Sequence, residues 1–337
     1  MKPSIVMRLR EDSQTVRKIV QGAFLLLCAW IGVEFILFMR WGASGGTAGY
    51  AAHPAGAEGF LPIAALLSLK QWLVTGRIHG FHPAGLFIFV AVLGLGLFLK
   101  KAFCSWMCPV GTLGEALWRL GRRLFGRNLA LPRWADYPLR ALKYLILGFF
   151  LLAVGRMDGP MLEAFLNSPY NAAADVRMYL FFAHLSGLAL GVLVVLAGLS
   201  LLVQNVWCRY LCPYGALLGL LSLASPLRVT RAKASCIDCG RCTKACPSRI
   251  QVHKAGRVGS DECTACYRCV QACPVKDTLQ MRAPVGRAVP GWVFGLLAAG
   301  LFMAVTGLAM LSGHWRTSLS PRDYLELIPA AEDIGHP

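Results

Sequence analysis

Eight of the thirteen cysteines lie within residues 236–274 and repeat one spacing. Both copies read C-x2-C-x2-C-x3-C-P, from Cys236 to Pro247 and from Cys263 to Pro274. Bacterial ferredoxins hold two [4Fe–4S] clusters on such runs, and the fourth cysteine of each run ligates the other cluster. The spacing therefore predicts two ligand sets, which are Cys236, Cys239, Cys242 and Cys273 for one cluster, and Cys263, Cys266, Cys269 and Cys246 for the other.

Two other uses of these cysteines are weighed against cluster binding. Zinc ribbons also contain C-x2-C pairs, but they need four ligands per ion in separated pairs rather than doubled runs of four. A disulfide framework requires an oxidising compartment, and the distribution of basic residues described below argues against one. Cluster binding is therefore the favoured interpretation.

Four further cysteines form two pairs in a second repeated motif. Residues 103–111 and 207–215 both read aromatic, Cys, any, aromatic, apolar, Cys, Pro, any, Gly. Positions i and i+4 of a helix share a face, and proline suits the first turn of a following helix, so each pair is predicted at a helix junction. The motifs occupy 104–109 and 208–213, and their cysteines are Cys104, Cys108, Cys208 and Cys212.

Three interpretations of this second set stay open. Four thiols from two related motifs could form an additional metal site or a third cluster. They could instead act as redox-active dithiols. They could also be reduced structural cysteines, since free cysteine buries readily.

The elements that carry these motifs are those of a membrane protein. Hydrophobic residues make up 56% of the chain and charged residues 15%, against about 25% charged in an ordinary globular domain. A helix needs about 20 residues to cross the hydrocarbon core, and five apolar runs approach or exceed that length. They are 19–39, 83–99, 140–155, 178–203 and 291–312.

The predicted fold is an all-α polytopic membrane protein with about five transmembrane helices. Residues 60–73 are too short and polar to span comfortably, and they predict a re-entrant or interfacial helix. A small α+β ferredoxin domain is inserted before the last span. The predicted segments are a basic arm at 1–18, a transmembrane region at 19–228, the ferredoxin domain at 229–288, a last helix at 289–312 and a tail at 313–337.

Basic residues give the expected topology. Of the 34 Lys and Arg residues, 26 fall in 1–18, 100–140 and 204–290, which alternate with the apolar runs. The positive-inside rule then places the N-terminus and ferredoxin domain in the cytoplasm and the C-terminus in the periplasm of a bacterial inner membrane. The net charge of +17 is explained by contact with anionic lipid, and no nucleic-acid partner is expected.

Three titratable residues near the membrane are candidates for a quinol site. Glu34 lies within the first apolar run, and an ionisable group at that depth is costly unless it serves a function or reaches the interface. His79 and His82 precede the second run and could bind a quinone head group or take its protons, or simply cap a loop. His184 has no matching axial partner, so no haem is expected.

Taken together, the paired C-x3-C-P motifs and the doubled ferredoxin run resemble a group of bacterial membrane polyferredoxins. These are the NapH-type subunits of quinol dehydrogenases, and the NosR and CcoG proteins share the motifs. The resemblance covers most of residues 20–312. The chain lacks the external flavin-binding domain of the NosR type and the soluble C-terminal domain expected of CcoG, so it looks most like NapH.

The resemblance implies electron transfer between the quinone pool and a periplasmic or membrane redox partner protein, in a quinol dehydrogenase complex. A rival interpretation is a factor that reduces a metal or thiol during assembly or maintenance of a copper or haem respiratory enzyme. A redox sensor would need an output domain, which the sequence does not contain. Residues 231–287 hold eleven Lys or Arg against four Asp or Glu, and this positive surround is expected to favour reduced clusters.

Overall fold

The computed structural model describes residues 12–284 and 286–335 of the chain. The first eleven residues of the predicted basic arm, with Lys2, Arg8 and Arg10, lie outside this range. Within it, α-helices numbered α1 to α15 occur at Ser13–Ala43, Pro62–Thr75, Pro83–Phe98, Ala102–Trp106, Pro109–Phe125, Arg133–Arg156, Gly159–Leu166, Pro169–Ala172, Ala174–Ala183, Gly187–Leu202, Pro213–Leu223, Arg241–Lys244, Arg268–Gln271, Gly291–Leu311 and Pro321–Ala330. A 3₁₀ helix covers Ala55–Phe60, a π-helical turn covers Trp207–Leu211, and strands β1 and β2 are Arg228–Arg231 and Leu279–Arg282.

Three of the described helices, α1, α6 and α14, are long and apolar enough to cross a bilayer. Helices α9 and α10 pass the same test together, but they meet at a bend of 82°. The predicted span 178–203 is therefore broken, and Ser186 Oγ accepts the backbone N–H of Ala189 at 3.2 Å to begin α10. Helix α3 has 16 residues, fewer than the roughly 20 that a span needs. Length and composition thus support three spans, or four with the bent pair, where the sequence predicts about five.

The helix predicted at 60–73 is observed at 62–75 as α2, of 14 residues; its interfacial placement stays a prediction. It ends at Gly76, whose φ of 70° is a conformation that glycine adopts without strain. From α2, the Lys70 ammonium donates to the carbonyl oxygens of Val154 and Gly155 at 2.8 and 3.0 Å. These are among the last carbonyls of α6, which have no partner within their own helix. A basic side chain thus caps one helix from another.

The chain divides into two compact units. The first comprises the described residues of Met1–Leu25, Val92–Leu147 and Val192–Leu301, and it contains all twelve motif cysteines. The second comprises the described residues of Leu26–Ala91, Gly148–Gly191 and Phe302–Pro337. The candidate residues Glu34, His79 and His82 belong to the second unit.

Strands β1 and β2 bracket the ferredoxin segment of the first unit. They pair antiparallel, with Val229 opposite Met281, and these two side chains are 3% and 1% exposed. Alternate residues of a strand face opposite sides, so the two paired strands bury one apolar face. The pairing also places the two ends of the ferredoxin segment next to each other. The described segment is small and α+β, as predicted.

The core of the second unit is aromatic and includes the predicted tail. Phe35 and Phe38 of α1 pack with Tyr324 and Ile328 of α15, and all four are at most 5% exposed. Helix α15 begins at a capping box in which Ser320 and Asp323 each accept a backbone N–H of the other. Residues 321–330 of the predicted tail are therefore a packed helix.

Candidate iron–sulfur sites

The two ferredoxin loops have the same backbone conformation. The residue before the second cysteine is left-handed in both runs, with φ of 48° at Asp238 and 51° at Ala265. The residue after it is also left-handed, at Gly240 and Tyr267, and one helical turn follows, α12 or α13. Left-handed backbone at three non-glycine positions is uncommon and tends to persist where surrounding structure fixes a functional loop. The sequence repeat is thus a structural repeat.

Two cavities of the ferredoxin segment are each lined by four cysteines. Cys246, Cys263, Cys266 and Cys269 line one of them. Cys236, Cys239, Cys242 and Cys273 line the other. The structure thus brings together the two sets that the spacing predicts, each with three thiols from one run and one from the other. Four thiols are the donor set of a [4Fe–4S] cluster, so both sets fit the group in chemistry and number.

The two sets differ in exposure. Cys263 and Cys269 are each 9% exposed, and burial raises the pKa of the Cys269 thiol well above its ordinary range. Cys239 is exposed, and the Arg231 guanidinium donates to Cys236 Sγ at 3.1 Å. The free Cys269 thiol is therefore protonated, and metal binding must displace that proton. We name the sets the inner set (Cys246, Cys263, Cys266, Cys269) and the outer set (Cys236, Cys239, Cys242, Cys273).

Each C-x3-C-P pair lies at a helix junction, as the prolines predict. Cys104 lies in α4, and Cys108 is the N-cap of α5, its Sγ accepting the N–H of Gly111 at 3.4 Å. Cys208 lies in the π-helical turn, and Cys212 is the N-cap of α11, its Sγ accepting from Gly215 at 3.3 Å. A helix N-terminus favours negative charge on sulfur, so both second cysteines suit a thiolate.

The four thiols of these motifs lie within electrostatic range of one another. Cys104 is influenced by Cys108 and Cys212, and Cys208 by the other three. Burial raises the pKa of Cys104 to about 12 and that of Cys208 well above its ordinary range. Among the described residues, no group of three or more His, Cys, Asp or Glu side chains is placed to hold a single metal ion. We call these four residues the membrane-side set.

A buried lysine lies beside the membrane-side set. Lys101 is 2% exposed, and although burial opposes its charge, Glu262 and the sulfurs of Cys104 and Cys208 raise the pKa of its ammonium. Lys143 of α6 forms an ion pair with the same Glu262. Two cations thus lie beside the four thiols. Their positive charge balances the negative charge that four thiolates would carry, as an anionic cluster requires.

The loop of the inner set rests directly on the first C-x3-C-P motif. Ser105 Oγ donates to the carbonyl oxygen of Thr264 at 2.6 Å, and Trp106 Nε1 donates to that of Ala265 at 3.1 Å. One further cavity is lined by Cys104, Cys208 and Cys266. The membrane-side and inner sets are therefore adjacent in the first unit, joined by hydrogen bonds between their own loops.

Glu115 of α5 ties the ferredoxin segment to two helices. Its carboxylate accepts two hydrogen bonds at 2.7 Å from the fully buried Arg17 of α1 and one at 2.5 Å from Arg268 of α13. Burial alone would raise the pKa of Glu115, but Arg17 and Arg268 lower it to about 2. The sequence analysis missed this group, although an isolated acid in the basic segment 100–140 was a usable signal.

A second missed acid, Asp136 of α6, holds the other C-x3-C-P motif. It accepts from Arg209 at 3.0 and 2.9 Å and from the Tyr210 hydroxyl at 2.7 Å. Arg209 and Tyr210 are the two residues between Cys208 and Leu211. The variable and aromatic positions of the motif therefore fix its turn by hydrogen bonding to a neighbouring helix.

The three candidate quinol residues are not brought together. Glu34 is half-buried in α1 and forms no hydrogen bond with either histidine in the described structure. His79 Nε2 lies 3.2 Å from Asn167 Oδ1, and His82 Nε2 lies 2.7 Å from the carbonyl oxygen of Asn171. Glu58 Oε1 lies 4.0 Å from His82 Nδ1.

Comparison with known proteins agrees with the cysteine pattern. The family described as a 4Fe-4S dicluster domain matches residues 228–274. The family described as a 4Fe-4S binding domain matches residues 81–128 and 184–231, and each match contains one C-x3-C-P pair. Over 331 residues the chain is 44% identical to the putative electron transport protein YccM of Escherichia coli K12, covering 96% of this chain and 93% of YccM. The chain belongs to the NapH/NosR-like family of membrane ferredoxins.

The predicted resemblance is therefore confirmed. The chain is 32% identical to the ferredoxin-type protein NapH of Haemophilus influenzae, over 48% of this chain and 50% of NapH. It is 31% identical to the regulatory protein NosR of Pseudomonas aeruginosa, over 48% of this chain and 22% of NosR. No solved structure matches the chain. As a member of this family it is an iron–sulfur electron-transfer protein with membrane helices.

Gly111→Ala is expected to disturb the membrane-side set. A Cβ at Gly111 would lie 2.3 Å from the carbonyl oxygen of Cys104, so the two helices would separate at a cost of about 1–3 kcal/mol. Iron content and visible absorbance of the anaerobically purified protein should fall. Gly114→Ala in the same helix is the control, because nothing lies within 4 Å of its Cβ. Full iron content in Gly111→Ala would show that the close approach is dispensable.

Glu115→Ala is expected to lower the free energy of unfolding by about 3–5 kcal/mol, because it leaves a buried arginine unpaired. The midpoint of thermal bleaching in detergent measures this. Because the folded pKa of Glu115 is depressed to about 2 from 4.5, its contribution is complete above pH 4.5 and is lost as the pH falls towards 2.

Asp238→Asn is the matched control for Glu115→Ala. Asp238 also pairs with an arginine, Arg231, but its side chain is 76% exposed, and exposed ion pairs contribute little. Equal midpoints for the two variants would contradict the role assigned to Glu115.

Proposed function

We propose that this protein carries electrons between the membrane quinone pool and a partner redox protein, as the iron–sulfur component of a quinol dehydrogenase. One observation carries the proposal: the inner-set loop is hydrogen-bonded to the first C-x3-C-P motif through Ser105 and Trp106. Thiols at the exposed face of the ferredoxin segment and thiols beside the apolar helices are thereby linked through one continuous protein body. Such an arrangement suits stepwise electron transfer rather than bond-making catalysis.

In this proposal the outer and inner sets each hold one [4Fe–4S] cluster. When bound, the clusters supply one-electron transfer at potentials that the surrounding protein adjusts. The protein contributes the Arg231 N–H that donates to Cys236 Sγ in the outer set and the burial of Cys263 and Cys269 in the inner set. The exposed Cys239 and Ile237 mark the outer set as the side that meets a soluble or peripheral partner.

We further propose that the membrane-side set holds a third cluster. Each pair lies within a match to a 4Fe-4S binding family, and Cys108 and Cys212 both lie at helix N-termini. Lys101 and Lys143 supply positive charge in the same place. Together these features are expected of an anionic cluster rather than of cysteines that only fill space.

The proposed location is the bacterial inner membrane, with the ferredoxin segment in the cytoplasm and the C-terminus in the periplasm. The distribution of Lys and Arg supports this orientation. Cluster ligation needs reduced thiols, which a reducing compartment maintains. A reporter enzyme that works only in the cytoplasm should be active when it is fused at residue 250, and one that works only in the periplasm should be inactive. Activity of the periplasmic reporter would contradict the proposed orientation.

A second role is compatible with the membrane-side set. If the four thiols of this set carry no iron, they could reduce a metal or a disulfide during assembly of a copper or haem enzyme. This role requires free thiols at the set, whereas a cluster requires iron. Iron counting therefore separates the two.

Replacing Cys104, Cys108, Cys208 and Cys212 together by serine should remove about four of about twelve irons per chain, since a [4Fe–4S] cluster contains four. Iron and sulfide analysis with EPR of the dithionite-reduced protein measures this. Cys28→Ser is the control, because Cys28 belongs to no motif. About eight irons in both proteins would leave the membrane-side set as thiols and favour the assembly role.

The anaerobic protein in lipid nanodiscs should be bleached by decylubiquinol or menadiol, because hydroquinone is the proposed electron donor. Visible absorbance and EPR follow the reaction, and dithionite defines full reduction. Bleaching by dithionite but by neither hydroquinone, over a range of pH, would contradict the quinone assignment while leaving cluster binding intact.

A further inference from the structure

Four of the buried titratable side chains in the second unit interact with one another and are not used in cluster binding. Glu58 and Asp175 are fully buried, His82 is 1% exposed, and the His53 side chain is 5% exposed. His53 lies in the loop before the 3₁₀ helix and Glu58 lies in that helix. His82 directly precedes α3, and Asp175 lies in the first turn of α9. Burial of such groups is costly, and in membrane proteins they commonly mark ion or proton pathways.

Hydrogen bonding fixes the tautomer of His82. Its Nε2 lies 2.7 Å from the carbonyl oxygen of Asn171, and because a carbonyl oxygen only accepts, Nε2 carries the proton. In the neutral ring Nδ1 is then a bare acceptor, and it has no hydrogen-bond partner among the described residues. Glu58 Oε1, 4.0 Å away, is likewise without a partner, while Glu58 Oε2 accepts the N–H of Gly85 at 2.9 Å.

His53 repeats this arrangement. Its Nε2 lies 2.5 Å from Asp175 Oδ2, so an ionised Asp175 requires the proton on Nε2 and leaves Nδ1 bare. That Nδ1 also lacks a partner among the described residues. The ring of Tyr324 stacks on His53 at 5.3 Å and 11°, and Phe38 meets it edge-on at 5.3 Å. Aromatic packing therefore holds the ring so that Nδ1 keeps its direction.

The charges around the two imidazoles would stabilise added protons. Asp175 acts electrostatically on both His53 and His82. The other titratable neighbours of His82 are Glu58, His79 and His53, and a positive charge on His53 lowers the pKa of His82. Burial lowers the pKa of His82 and raises that of Glu58 well above its usual range. Uncharged His82 is therefore the resting form at neutral pH, as a proton acceptor must be.

A buried acceptor without a partner costs about 1–3 kcal/mol, and this cluster contains three such atoms: the Nδ1 atoms of His53 and His82, and Glu58 Oε1. We propose that His53 and His82 are the two proton acceptors for oxidation of a hydroquinone. The inference rests on the proposed function and adds to it where the protons go. In the balanced step, hydroquinone loses two O–H protons and two electrons to become quinone. Each proton forms an N–H bond at one Nδ1, and the electrons leave singly to the iron–sulfur groups.

His82→Gln tests the proposal. The glutamine amide can still donate to the Asn171 carbonyl, but the base is removed. In nanodiscs, bleaching by decylubiquinol should slow at least tenfold, since a positioned base contributes about 10²–10⁴-fold. Bleaching by dithionite should be unchanged. His184→Gln is the matched control, because His184 is an exposed histidine of the same unit.

The pH profile separates a base from a structural residue. The wild-type rate should fall as the pH drops through the pKa of His82, which burial places below 6.5, because imidazolium cannot accept a proton. This limb should disappear in His82→Gln. If His82→Gln loses its dithionite response, His53→Gln, which removes the other proposed acceptor, replaces it and should slow the hydroquinone reaction in the same assay.

The outcomes are distinct. A hydroquinone rate and pH limb in His82→Gln and His53→Gln equal to those of wild type would overturn the inference and leave the proposed function standing. A wild type that dithionite bleaches and hydroquinone does not would overturn both. Slowing in His82→Gln and His53→Gln, with His184→Gln unaffected, is the expected result.

Discussion

Placing negative charge on buried sulfur is the constraint on which the first unit depends. Four thiols that bind iron become an anionic group, and low-dielectric surroundings penalise that charge unless cations or N–H donors face it. Lys101 and Lys143 lie at the membrane-side set, two helix N-termini point at Cys108 and Cys212, and Arg231 donates to Cys236. The basic residues of the chain thus provide positive charge beside the cysteines, and their distribution also supports the proposed topology.

The same unit depends on two acids to hold its parts in register. Glu115 joins α1, α5 and α13, and Asp136 joins α6 to the turn that carries Cys208. A buried ion pair adds little net stability compared with apolar packing, but it is costly to break and it defines one geometry. Electron transfer between adjacent groups needs fixed positions more than it needs reactive side chains, and these pairs supply them.

In the proposed function, electrons and protons are handled by different chemistry. Cysteine sulfur and cationic neighbours characterise the first unit, whereas the second unit buries His53, Glu58, His82 and Asp175 among Phe38 and Tyr324. Iron–sulfur groups carry electrons without protons, so a protein that oxidises a hydroquinone must provide bases separately. The division of titratable groups between the two units matches that requirement.

The sequence by itself determined the cysteine sets, the membrane class and the family, because ligand spacing and long apolar runs are local properties that survive without tertiary context. It also placed each C-x3-C-P pair at a helix junction, since proline at N1 is a local signal. Only the tertiary structure joined Ser105 to Thr264, Arg17 to Glu115 and His53 to Asp175, residues 98 or more positions apart in the chain. It likewise broke the apolar run 178–203 at a bend of 82° and buried Tyr324 of the apparent tail. Pairings of this kind are decided by packing between distant segments, which hydropathy and spacing do not record.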